Sequence, residues 1–164
     1  MEKLLFEIGT EEIPAKFMPD ILQQLKTLAE KKMEELRIPF SSVRVYGTPR
    51  RMAFIADDVA KAQADSTVES KGPSVKIAFG PDGIPSKAAI GFARGQGIDV
   101  KDLDTRGEYV YAVKHLQGKA VIELLPAMLD DIIHSLSFPK NMRWADYDFK
   151  FVRPIRWLVA LLDD

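Results

Sequence analysis

Between Met18 and Leu36 the apolar residues Met18, Ile21, Leu22, Leu25, Leu28, Ala29, Met33 and Leu36 recur at spacings of three and four. That pattern is one face of an α-helix, and a helix with a single apolar face must cover another element. Candidates stand on either side. Leu4 to Ile8 is a short apolar run bounded by Gly9 and reads as a strand, and Val43, Val45 and Met52 to Ile55 suggest two more around Gly47-Thr48-Pro49. Glu11, Glu12 and Pro14 suit a helix start, because acids favour the positive end and proline the first turn. Pro19 conflicts with an unbroken helix from Pro14, so either the first turn is separate or the regular helix starts near Pro19.

A second amphipathic helix follows from Val121, Leu124, Leu125, Met128, Leu129, Ile132, Ile133 and Leu136, kinked or late-starting at Pro126. Ala60 to Ser66 reads as a connection. Lys71 to Ser86 is dense in glycine and proline and predicts turns, with Pro81-Asp82-Gly83 as a specific signal. Ser86 is placed to cap a short helix ending at Gly95 or Gly97, and alternation around Arg106-Gly107 predicts a hairpin over 103–116. Ile155 to Leu162 predicts a buried strand entering a hairpin at Asp163-Asp164 whose partner is missing. The order is mixed, with consecutive strands. It predicts an α+β fold: a largely antiparallel sheet with helices packed on it, in βαββ…αβ order. The main layer would be 1–66 with 118–164, and 67–117 an inserted α+β lobe.

Composition narrows the function. Apolar residues are 46% and charged residues 29%, ordinary for a folded chain of 164 residues. With no cysteine there is no disulfide, thiol nucleophile or Cys zinc site, and two histidines make a His-rich metal site unpromising. No apolar run approaches the roughly 20 residues of a membrane span, and the amino-terminal stretch has acids inside it, unlike a signal peptide. The expectation is a soluble, cytoplasmic, globular chain.

The net charge of −1 rules out a bulk polycation, so any nucleic acid must be met by a local patch. Residues 41–97 carry eight basic and five acidic side chains, and 98–136 carry four and seven. Residues 137–164 are nearly balanced, five against four, but their bases lie beside aromatics: Lys140, Arg143-Trp144, Lys150-Phe151, Arg153 and Arg156-Trp157. Interleaved cations and planar rings suit RNA phosphates and bases. The competing reading makes the aromatics core and the bases a solvated rim. Arg50-Arg51 follows a proline turn, and one of the pair should point outward if a strand begins there. Glu11 and Glu12 fit helix-dipole partners better than an acid/base pair, and His115 and His134 have no evident partner. Gly91, Gly95 and Gly97 match neither phosphate-loop pattern. No nucleophile constellation, metal cage or nucleotide site is legible. The residues alone read as a binding or assembly module.

Particular strings say more. They are Phe6-Glu7-Ile8-Gly9-Thr10-Glu11-Glu12-Ile13-Pro14, then Gly47-Thr48-Pro49-Arg50-Arg51-Met52-Ala53, then Lys71-Gly72-Pro73. Pro85-Ser86-Lys87-Ala88-Ala89-Ile90-Gly91-Phe92-Ala93-Arg94-Gly95 follows, and Pro139-Lys140-Asn141-Met142-Arg143-Trp144 and Phe151-Val152-Arg153-Pro154-Ile155-Arg156-Trp157 come last. In this order and spacing the chain resembles the N-terminal region of the β subunit of bacterial heterotetrameric glycyl-tRNA synthetase. The resemblance implies an α2β2 ligase that charges tRNA(Gly) with glycine, using ATP with Mg at an active site on the α subunit. It implies that this part binds no cofactor and has no catalytic residue. It also implies a role in tRNA binding, since this part of the family resembles the portions of archaeal CCA-adding enzymes that hold the acceptor arm. Family β subunits are several times longer, so the chain is expected to be a fragment. The candidate tRNA contacts, chosen by motif position and chemistry, are Arg50, Arg51, Lys71, Lys87, Arg94, Lys140, Arg143, Arg153 and Arg156. The alternative is an assembly module docking other β-subunit domains or the α subunit.

Overall fold

The computed structural model describes residues 1–80 and 82–163, in two compact units: 1–64 with 119–164, and 65–118. The fold is α+β and its sheets are antiparallel.

In the larger unit β1 (Glu2–Thr10) lies between β3 (Arg51–Val59) and β9 (Ile155–Leu162), and β2 (Ser42–Thr48) flanks β3, giving the order β2-β3-β1-β9. The register sets Leu4 opposite Ala56, Phe6 opposite Phe54 and Ile8 opposite Met52. These six are at most 2% exposed, and the rings of Phe6 and Phe54 lie 5.7 Å apart. α1 (Met18–Glu35) buries Ile21, Leu25, Ala29 and Met33 in the same core, and α4 (Val121–Ser135) buries Val121, Leu125, Met128, Leu129, Ile132 and Ile133. Each large apolar side chain so buried contributes about 1.5–3 kcal/mol. Arg44 ties β2 to β3: its Nε and Nη2 each donate to an Asp57 carboxylate oxygen at 3.0 Å. Desolvation opposes ionisation of Asp57, but hydrogen bonds from Arg44 and Ser42 and the charges of Arg44 and Lys3 outweigh it. They hold the carboxyl below its ordinary range.

The structure decides between some of the expected alternatives and changes other expectations. The first turn is separate, a 3-10 turn at Ala15–Phe17, and α1 then starts at Met18 with Pro19 in its first turn, where no intrahelical hydrogen bond is lost. α4 starts at Val121 and carries Pro126 inside it, so it is not late-starting; six buried side chains hold it through the missing hydrogen bond. β9 is a strand but is not buried. Among the described residues it pairs on one side only, with β1, and Trp157, Leu158 and Leu161 are 37%, 52% and 46% exposed. An apolar run marks a strand without saying whether it is central or at an edge. Asp163 has a φ of +71°, while Asp164, the other half of the expected turn, lies outside the described residues.

The smaller unit is a sheet in the order β4-β6-β5, built from β4 (Ser66–Ser74), β5 (Leu103–Arg106) and β6 (Tyr109–Leu116), with the short α2 (Val75–Ala78) and α3 (Lys87–Gln96). The expected hairpin is β5–β6, with Gly107 at φ +61°. Ser86 Oγ accepts from the amides of Ala88 and Ala89, and Gly97 closes α3 in the left-handed region. Of the Pro-Asp-Gly signal, Pro81 lies outside the described residues, while Gly83 has a φ of +76° and donates to the Gly80 carbonyl at 2.9 Å. The expected run of turns from Lys71 is corrected. β4 continues through Gly72 and Pro73 because it is an edge strand, where a missing donor is tolerated, and its register shifts between Lys71 and Ser74.

Gly72 is required by close approach: a Cβ there would stand 2.6 Å from the Phe92 ring of α3. Phe92 packs on the small core of Ala78, Ala89 and Val110. Gly72→Ala is therefore expected to cost the 65–118 unit about 1–3 kcal/mol of overpacking. Amide hydrogen exchange should report faster opening of β4 and β6, with the larger unit unaffected.

Candidate nucleic-acid interface

At one end of the larger unit's sheet the chain leaves β1 and is strapped to two other segments. The Thr10 amide donates to the Arg50 carbonyl at 2.9 Å and the Ile13 amide to the Pro49 carbonyl at 2.7 Å. The Glu11 amide donates to the Pro154 carbonyl at 3.1 Å. These bonds gather Arg50, Arg51, Arg153 and Arg156 around the short stretch from Thr10 to Pro14. Arg50 sits in the turn before β3 rather than on a strand, so strand alternation does not separate it from Arg51, and both are exposed.

Arg51 reaches Glu7 at 3.9 Å, and its guanidinium stands 5.5 Å from the centroid of the Trp157 ring. That ring lies on Gly9: a Cβ at Gly9 would come within 1.9 Å of it. Its Nε1 donates to Glu7 Oε1 at 2.8 Å. The result is a fixed, half-exposed indole beside an exposed arginine, an arrangement suited to stacking and to charge.

Arg153 and Arg156 have different surroundings. Arg153 precedes β9 and is half-buried; its Nε donates to the Glu12 carbonyl at 2.9 Å and its Nη1 to the Val152 carbonyl at 3.3 Å. Arg156 is 62% exposed and faces Glu11 at 3.4 Å. Beside Arg153, a cavity of about 250 Å³ is lined by Lys16, Lys140 and Arg153 with Phe17, Met142 and Val152. Lys16 was not singled out in the sequence. Its signal was the Lys16-Phe17 pair, the same neighbouring of cation and ring that marks residues 137–164.

Those residues hold two short strands, β7 (Met142–Arg143) and β8 (Lys150–Phe151). Arg143 is exposed and lies 3.5 Å from Asp148. Its neighbour Trp144 turns its Nε1 to the Phe151 carbonyl at 3.0 Å, and Phe151 is 1% exposed. Trp144, Tyr147, Phe149 and Phe151 line a larger cavity of about 440 Å³. The aromatics thus divide: Trp144 and Phe151 pack inward, while Tyr147 is 73% exposed.

Lys71, Lys87 and Arg94 belong to the smaller unit. Lys71 Nζ stands 3.5 Å from the Tyr109 ring centroid, and Lys87 and Arg94, seven residues apart on α3, share one face. Among the described residues no three His, Asp or Glu side chains converge as a metal site would require, and no helix is long and apolar enough to cross a membrane.

The contrast between the two arginines is measurable. Arg153→Ala strips donors from two carbonyls, one belonging to the buried Val152, and is expected to cost about 1–3 kcal/mol. Arg156→Ala removes one exposed ion pair and is expected to cost about 0–1 kcal/mol. Thermal unfolding should lower the melting temperature clearly in the first variant and barely in the second.

A family model described as "Glycyl-tRNA synthetase beta subunit" matches residues 4–164. The glycine–tRNA ligase beta subunit of Syntrophus aciditrophicus (strain SB) is 47% identical over 163 residues, covering 97% of this chain and 24% of that protein. That of Desulfitobacterium hafniense (strain Y51) is 53% identical over 161 residues, covering 96% and 23%. That of Moorella thermoacetica (strain ATCC 39073 / JCM 9320) is 49% identical over 162 residues, also covering 96% and 23%. The chain spans about a quarter of the length of these curated relatives. A match over almost the whole chain, reaching every block around the strapped sheet end, shows that the chain belongs to the glycyl-tRNA synthetase beta subunit family.

Proposed function

We propose that this chain is the part of a glycine–tRNA ligase β subunit that grips tRNA by phosphate charge and shape, without taking part in the chemistry. The whole enzyme would join glycine to tRNA(Gly) at the expense of ATP, giving glycyl-tRNA, AMP and diphosphate. ATP with Mg and glycine would be handled by the α subunit, in an α2β2 assembly in the cytoplasm.

The observation that carries this reading is the gathering of Arg50, Arg51, Arg153 and Arg156 at one sheet end, with Lys16 and Lys140 beside Arg153. Arg50, Lys16, Lys140 and Arg153 have no carboxylate within 4.0 Å among the described residues, so their charge is available to a polyanion. The groove of an A-form helix is poorly readable by base, so contacts to phosphate and ribose suit a duplex arm such as the acceptor stem. Lys71, Lys87 and Arg94 would add contacts from the smaller unit, and Arg143 from beside Trp144.

A second reading, assembly, has its own support. Tyr46 on β2 and Trp157, Leu158 and Leu161 on β9 are exposed, and β9 is an edge of the sheet among the described residues. Open apolar edges favour protein partners.

Salt separates the two. About four phosphates met at this end give a log–log slope of about −3 to −4, so affinity for a tRNA transcript should fall about a hundredfold between 50 and 200 mM salt. Transcripts of different identity should bind alike, because the grip is on backbone. Binding that is absent at low salt, or indifferent to salt, would overturn the RNA reading and leave the assembly one.

A further inference from the structure

We infer that the cavity between the Ala15–Phe17 turn and the segments around Lys140 and Arg153 is a seat for a single RNA phosphate. Its cationic clamp is Lys16, Lys140 and Arg153. This rests on the RNA reading above and adds to it a defined site and a residue, Lys16, that no motif marks.

Three observations carry it. First, the charge is of one sign: three cations and no carboxylate line the cavity, and none of the three has a carboxylate partner among the described residues. Cations left together without counter-charge repel one another, and an anion at their centre relieves that. Second, Arg153 is held ready. Its Nε and one Nη1 hydrogen are spent on the carbonyls of Glu12 and Val152, which fixes the guanidinium plane. Three of its five N–H bonds remain without an acceptor among the described residues, in the fork geometry that suits a phosphate. Third, size decides between ligands. At about 250 Å³ the cavity is below the usual range for a small-molecule ligand, so it suits a phosphate with part of its ribose. Phe17 and Met142 supply apolar wall for the sugar. Among the described residues, the larger cavity at Trp144 has no cation in its lining and so gives a phosphate no opposite charge to meet.

The phosphate has two sources on a tRNA, a backbone diester or the 5′-terminal monoester, and the test separates them. Lys16 and Lys140 are both exposed and lack ion pairs among the described residues, so Lys16→Gln with Lys140→Gln should leave the fold intact, checked by thermal unfolding. Binding of a 5′-phosphorylated tRNA transcript to the wild-type chain is measured from low to moderate salt, and again for the double variant. The expected result is an affinity loss of at least about tenfold and a slope smaller in magnitude by about 0.7–0.9. Lys31→Gln, which removes an exposed partner of Glu35 near the end of α1, should change neither. Removing the 5′-phosphate from the transcript should reproduce the loss if the terminal monoester is seated, and leave wild-type binding unchanged if a diester is. Steep, salt-dependent binding by the wild-type chain with no change in the double variant overturns the seat alone. No wild-type binding at low salt overturns the RNA reading and the seat together.

Discussion

β1 pairs along both of its edges, with β3 on one side and β9 on the other, and the larger unit is built outward from it. Against β3 it sets Phe6 beside Phe54 and Ile8 opposite Met52, and these form the floor that α1 and α4 cover. Against β9 it sets Gly9 opposite Trp157, where the missing Cβ lets the indole lie flat. Where β1 ends, the same strand continues as a strap between Pro49-Arg50 and Pro154. One strand therefore builds the core with one face and assembles the basic end with its terminus. A change that shifted its register by one residue would turn Phe6 outward and Glu7 into the core.

The basic end is organised by backbone rather than by ion pairs. Arg153 is held through two carbonyls, and Arg50 is placed by a turn whose carbonyls receive the amides of Thr10 and Ile13. Where carboxylates do approach, at Glu7 and Glu11, the partner arginines stay 59% and 62% exposed. Such pairs are worth little in water, so a polyanion can displace them at small cost.

Sequence reasoning reached the α+β class and both long helices because periodicity reports one-sided burial directly, as at Ile21, Leu25 and Val121, Leu125. It also found the Ser86 cap and the β5–β6 hairpin, whose signals are local. It failed where local chemistry points one way and tertiary context another. Gly72-Pro73 reads as a turn, yet an edge strand tolerates it and Phe92 requires the glycine. Ile155 to Leu162 reads as buried, because composition does not distinguish a central strand from an edge. For the candidate contacts, residue type and motif position supplied names but no grouping. Lys16 and Lys140 are more than a hundred residues apart in sequence, and only the fold sets them around one cavity. Lys71, Lys87 and Arg94 belong to the 65–118 unit.

On the reading proposed above, RNA meets this chain at the strapped end of the larger sheet. Amide hydrogen exchange of the chain with and without a tRNA transcript, at low salt, locates the contact. Added protection is expected over residues 10–17, 49–51, 140–143 and 153–156, with the last turns of α1 unchanged. Protection confined to α1 and the exposed edge of β9, with none at the strap, would contradict it.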